Sequence, residues 1–287
     1  MKFFAAAILG TLCLVGVCSG FGCFGKPWKR NSIKAKYGIL PINANFPLPK
    51  GLNDDKIDEY VQVEEDLGIP AKLWCHPNDA RVCLIIDNAG NNVGLQISFL
   101  DQDTKNVTGF DYTAVNTYVR TNIFDQPANS FRVFYTDPTK LTEEGRAPSD
   151  DVIDGVFAYI KGELVQLPLE DPKVKQSGPF YRQACFPQMG QHYFYGMSES
   201  EADCTQHVPF FGIYHNSGLV GWGLANYGRA SSAKNGRDWY ETVPGLGAKL
   251  IMPDRPKCVD DLIEKNGLYS MHVYFVENPT LISCLFQ

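Results

Sequence analysis

Gly212-Ile-Tyr-His215-Asn-Ser-Gly218-Leu-Val-Gly221-Trp-Gly-Leu224 is an apolar run, a polar turn, and a second apolar run interrupted by glycine. The same plan stands earlier in the chain, in Cys83-Leu-Ile-Ile-Asp87-Asn-Ala-Gly90-Asn-Asn-Val-Gly94-Leu-Gln-Ile97. Asn and Gly between apolar runs are hairpin chemistry, because both tolerate the positive backbone angles that a tight turn between twisted strands requires. Two such hairpins, one in each half, predict a fold made from a repeated hairpin plan. A second echo links Met189-Gly-Gln-His192-Tyr-Phe194 with Ser270-Met-His272-Val-Tyr-Phe275, each a histidine at a strand start among aromatics.

Working outward, short strands dominate. Arg81–Ile86, Val93–Leu100, a pair within 109–136, Gly155–Ile160, Glu163–Leu169, His192–Tyr195, Ala248–Met252 and Leu268–Val276 read as strands, with Leu281–Leu285 as an added edge. Two short helices are expected, one capped by Asn53-Asp54-Asp55 and running to Leu67, the other over Lys257–Lys265 and closed by Asn266-Gly267. The class is mainly β (α+β by strict count), with antiparallel sheets or a barrel-like sandwich built from repeated hairpins. Boundaries follow composition: a Pro/Gly-rich strap over 21–52, a first β-rich half over 53–140, and a second over 150–287, joined into one compact domain.

Residues 1–20 have the layout of a secretory signal peptide: Lys2, an apolar run from Phe3 to Val17, then the small residues Ser19 and Gly20. Cleavage there removes Lys2 and moves the formal net charge from −6 to −7. That balance argues against nucleic acid as a partner, which rewards clustered Lys and Arg. The one basic cluster, Lys26 to Lys36, reads as a solvated arm. No later run has the length of a membrane span. In an oxidising compartment the mature cysteines pair, and spacing favours the local bridges Cys75–Cys83, Cys185–Cys204 and Cys258–Cys284, leaving Cys23 odd. Asn106-Val-Thr108 is a glycosylation sequon in a polar stretch.

Two chemistries merit weighing. If the strands of His192 and His272 are neighbours in one sheet, both imidazoles point to the same face and can hold zinc, copper or iron together with His215, His207 or Glu277. A metal-dependent secreted enzyme would follow. Alternatively Tyr193, Tyr195, Tyr214, Trp222 and Tyr274, with glycines beside them, line a pocket for a small apolar ligand. Other chemistry is poorly supported: Gly-x-Ser-x-Gly is missing, Gly245-Leu-Gly-Ala-Lys249 lacks phosphate-loop spacing, and the adjacent carboxylates suit capping. The sequence favours a secreted, disulfide-braced glycoprotein that binds a small apolar ligand or an extracellular protein, as a component of venom or another exocrine fluid would. Enzyme status stays open and leans to no.

Overall fold

The structure is a computed structural model that describes residues 28–36, 45–172, 178–200, 204–231 and 237–285. The expected signal peptide, residues 1–20, and Cys23 lie outside these residues. Among the described residues sixteen strands form two antiparallel sheets packed face to face. In chain order the first eight are β1 (Lys34–Lys36), β2 (Asn45–Pro47), β3 (Val61–Val63), β4 (Ala71–His76), β5 (Asp79–Asp87), β6 (Asn92–Leu100), β7 (Val119–Ile123) and β8 (Gln126–Phe134). The next eight are β9 (Val156–Ile160), β10 (Glu163–Leu167), β11 (Phe180–Phe186), β12 (Gly190–Tyr195), β13 (Phe210–His215), β14 (Gly218–Tyr227), β15 (Glu241–Thr242) and β16 (Leu268–Tyr274).

The two sheets are the same object twice. The first runs β10-β9-β8-β6-β5-β4-β3 with β7 also on β8, and the second runs β2-β1-β16-β14-β13-β12-β11 with β15 also on β16. Laying β1–β8 over β9–β16 converts one order into the other, so the chain is two tandem units of eight strands. The register agrees residue by residue. Gly94, Leu95 and Gln96 face Phe134, Val133 and Arg132. Gly221, Trp222 and Gly223 face Tyr274, Val273 and His272 in the same way.

Each central hairpin carries the same bulge. Ile85 pairs with Gly94 and Ile86 with Asn92, which leaves Val93 out of the ladder. Ile213 pairs with Gly221 and Tyr214 with Leu219, which leaves Val220 out. The freed carbonyls accept from Tyr135 N–H at 2.7 Å and from Phe275 N–H at 2.9 Å. The glycine after each bulge is required by close approach: a Cβ at Gly94 or at Gly221 would lie 2.4 Å from the carbonyl oxygen of Val133 or Val273.

The units exchange their first two strands. β1 pairs with β16 of the second unit, and β9 pairs with β8 of the first. Each chain then returns to its own hairpin tip. Asn92 N–H donates to Lys50 O at 2.8 Å, and Leu219 N–H donates to Leu169 O at 2.9 Å. The equivalent rings of Tyr135 and Phe275 meet edge to face at 5.1 Å, as residues beside a two-fold axis would. Phe131 against Phe210, and Phe99 against Tyr269, join the inner faces of the two sheets.

The hairpin echo is therefore a structural equivalence. The histidine echo is not, because β12 corresponds to β4 and β16 to β8: His192 stands where the first unit has Leu73, and His272 where it has Arg132. Other expectations need correction. Residues 21–52 are no mere surface strap, since β1 and β2 complete the second sheet, and Lys36 of the supposed solvated arm is buried. The helix expected over 53–67 is a single 3-10 turn, Asp55–Glu59, with Asp54 as its cap, followed by β3. Ala248–Met252 is not a strand. It falls in helix α2 (Gly245–Ile251), which buries Ala248 and Ile251 at helical spacing. The expected edge at Leu281–Leu285 is instead preceded by a 3-10 turn at Pro279–Leu281 and forms no strand.

The units diverge between their last two strands. β7 and β8 join through a two-residue turn, Phe124-Asp125, both with positive φ as a tight hairpin demands. Between β15 and β16 the chain makes α2 and then α3 (Lys257–Asn266). Three disulfides brace the fold and are compatible with an extracellular protein. Cys75–Cys83 is as spacing suggested, but the others are Cys185–Cys284 and Cys204–Cys258, not the local pairs. Spacing misleads because the helical excursion carries Cys258 back to Cys204, while the chain end returns to β11.

Candidate functional site

The duplication places one locus twice, on the outer face of each sheet. In the second sheet it contains His272 on β16, Glu241 on β15 and Lys36 on β1, and His192 lies across the same face on β12. The two histidines do not sit on neighbouring strands. They meet nonetheless: Gly223, between them, leaves the space that the Phe211 ring fills, a Cβ there being 2.2 Å from Phe211 Cζ. Phe211 lies 5.3 Å from each imidazole, and the imidazoles stand perpendicular with centroids 5.9 Å apart.

All four side chains are buried. His192 Nδ1 is 3.2 Å from Ala184 O, and its Nε2 has no partner. Burial, with His272 adding to it, presses the His192 pKa down to about 3, so this ring is neutral. His272 Nδ1 lies 2.7 Å from Glu241 Oε1, which also accepts from Ser270 Oγ at 3.0 Å. Burial alone would raise the Glu241 carboxyl, but His272, Lys36 and Ser270 together hold it below the usual range. Burial draws Lys36 down to about 8, with Glu241 pulling the other way. This is an internally compensated ionic cluster.

The expected third metal ligands are engaged elsewhere. Trp28 Nε1–H donates to His215 Nδ1 at 2.8 Å, His207 Nδ1 is 3.1 Å from the Tyr227 hydroxyl, and Glu277 pairs with Lys34 at 3.1 Å. Among the described residues no three His, Cys, Asp or Glu side chains converge as a metal ion needs. Glu241 is the nearest substitute, yet its contact is with His272 itself, and Lys36 brings a cation to the same place. The residues present do not fit zinc, copper or iron.

The aromatics expected to line a pocket pack as core. Tyr193 meets Tyr214 at 5.3 Å, and the Tyr214 hydroxyl donates to Pro168 O at 2.7 Å. Trp222 packs on Phe210, half-buried Tyr195 packs on Phe180, and the Tyr274 hydroxyl donates to Met189 O. None of the five lines the clefts at Val243–Gly267, at Lys50–Asn91 or at Leu67–Gly162.

In the first sheet the same locus is open. By register, Arg132 replaces His272, Val119 replaces Glu241 and Tyr159 replaces Lys36. Val119 is 41% exposed and Tyr159 42%, whereas Glu241 and Lys36 are each 4% exposed. A cleft of about 300 Å³ lies there, walled by the apolar Leu67, Ile69, Val119, Phe134 and Tyr159, with Asn116, Thr117, Tyr118 and Arg132 also lining it. Arg132 is held from three sides: Nε donates to Gln96 Oε1 at 2.9 Å, Nη2 to Glu65 Oε1 at 2.9 Å, and Nη1 to Asp66 O at 3.4 Å. Burial lowers its pKa from the usual guanidinium value, with Glu65 pulling back. The sequence reading missed this cleft because 64–67 was absorbed into a helix and the turn that follows was left unread. The signal was Asp66-Leu-Gly68-Ile-Pro70, a turn in which Asp66 Oδ1 accepts from Gly68 N–H at 2.8 Å.

Asn106 is exposed, in the turn after α1 (Asp101–Thr104), and the Thr108 N–H donates to Asn266 Oδ1 at 2.9 Å. No helix among the described residues is long and apolar enough to cross a membrane. No protein family, curated protein or solved structure matches the chain.

Proposed function

We propose that this is an extracellular binding protein that takes a small apolar ligand in the cleft on the outer face of the first sheet. One observation carries the reading. At matched positions of a duplicated sheet, the second sheet fills the locus with a buried ionic cluster, and the first leaves aliphatic and aromatic side chains half exposed around a cleft. Burying such a surface under an apolar molecule is favourable, and a well-formed apolar pocket with few polar groups is the ordinary form of a small-ligand site. The leader-like residues 1–20, the three disulfides and the exposed Asn106 sequon support an extracellular setting.

The test is expression of the chain with its own leader, beside Val119→Trp. The tryptophan fills the cleft from an exposed strand position. The expected result is recovery from the medium and a stoichiometric apolar molecule in organic extracts of the original protein but not of the variant. Retention inside the cell, or identical extracts from both proteins, would overturn the reading.

A further inference from the structure

We propose that the ligand of this cleft is electrically neutral: a small apolar molecule carrying one hydrogen-bond acceptor, such as an alcohol, ketone or lactone, set against Arg132. This rests on the cleft being the binding site and specifies what enters it. The walls mix apolar side chains with the neutral polar Asn116, Thr117 and Tyr118, and Arg132 is the one charged side chain that lines them. An unpaired guanidinium there would select a carboxylate, as in fatty-acid binding. This one is not unpaired. Glu65 Oε1 lies 2.9 Å from Nη2, and both groups are largely buried, with side chains 11% and 20% exposed.

An anion entering the cleft would meet a cation whose charge is already compensated, beside a carboxylate that repels it at short range in a medium of low dielectric. A cationic ligand would face the guanidinium directly. Donor capacity is nevertheless left over. A guanidinium has five N–H groups, and Arg132 makes three hydrogen bonds to the protein, the Nη1 bond being long at 3.4 Å. A neutral acceptor satisfies those donors without adding charge. The cleft volume, about 300 Å³, stands at the small end of ligand sites and suits a compact molecule.

The test uses the full-length protein and three probes of matched length, 2-heptanone, heptanoate and heptylammonium, titrated at neutral pH by calorimetry. The ketone is expected to bind at least tenfold tighter than either ion, and Val119→Trp to abolish its binding. Glu65→Gln removes the compensating charge from a partly exposed loop position. In that variant heptanoate is expected to gain at least tenfold and to overtake the ketone. Heptanoate binding as tightly as the ketone in the original protein, with both lost in Val119→Trp, would overturn neutral selection while leaving the cleft as the site. An unchanged order in Glu65→Gln would likewise overturn it. Ketone binding that survives Val119→Trp, or no binding of any probe, would overturn the site as well.

Discussion

The outer faces of the two sheets share a register and differ in what fills them. In the second sheet, Lys36, Glu241 and His272 are sealed within the fold, and α2 and α3 occupy the interval between β15 and β16. In the first sheet the matching interval, between β7 and β8, is a two-residue turn, and Tyr159, Val119 and Arg132 border a cleft. Duplication supplies the same backbone twice and frees one copy from the requirement to be closed. The sealed copy carries buried ionisable groups, which cost stability unless compensated, and the open copy carries exposed apolar surface. The two faces should therefore fail under different stresses.

The largest contrast concerns the disulfides. In the second unit Cys185–Cys284 spans 99 residues, whereas Cys75–Cys83 in the first spans 8. If loop closure in the unfolded chain governs their effect, removing the long bridge costs about 4–5 kcal/mol and the short one about 2–3 kcal/mol. Denaturant unfolding of Cys→Ser pairs measures both. A larger loss from Cys75/Cys83 would mean that strain or local packing decides.

Acid should act on the second unit first. The folded-state pKa of His192 is depressed from 6.5 to about 3, and that of His207 to about 4. The unfolded chain therefore binds more protons in this window, and stability falls as pH drops from about 6.5 toward 3. The His192 share is roughly 5 kcal/mol when the window has been crossed. Replacing His192 by the first unit's residue, His192→Leu, should flatten that part of the acid limb in a pH series of unfolding curves. An unchanged limb would show that His192 is not the group responsible.

The bulge glycines sharpen the comparison by their likeness. Gly94→Ala and Gly221→Ala each force a Cβ to within 2.4 Å of a backbone oxygen that cannot yield cheaply. Each should cost about 2–3 kcal/mol, the range for overpacking, and the two values should agree within about 1 kcal/mol. Strongly unequal costs would argue that the two bulges are not equivalent.

Much of this plan was legible in sequence because local chemistry wrote it there. The polar Asn/Gly turns betray the hairpins, so the repeated plan could be read from two stretches alone; the bulges at Val93 and Val220 could not, because they appear only in the register of the ladder. Long-range facts were not. Nothing local tells Cys258 to seek Cys204, and nothing around Lys36 in a basic, proline-rich stretch announces a buried lysine facing Glu241. The meeting of His192 and His272 was anticipated, but the reason given, neighbouring strands, was not the one that operates. Two strands intervene, and a glycine makes room for the ring between them. Glu241 was missed because a two-residue strand has no periodicity. Of the aromatics proposed for a pocket, Tyr193, Tyr214, Trp222 and Tyr274 are buried in the core; strand aromatics that fill a core and those that line a cavity have the same sequence pattern, and burial separates them only after folding.

Matched cysteines test the central contrast most directly. Tyr159→Cys and Lys36→Cys place a thiol at equivalent positions of β9 and β1. Under native conditions a thiol reagent should label the first at close to the rate of an unstructured thiol. The second should react more slowly, on the order of a hundredfold, because it waits on local opening. Equal rates would contradict the account of one open face and one sealed face.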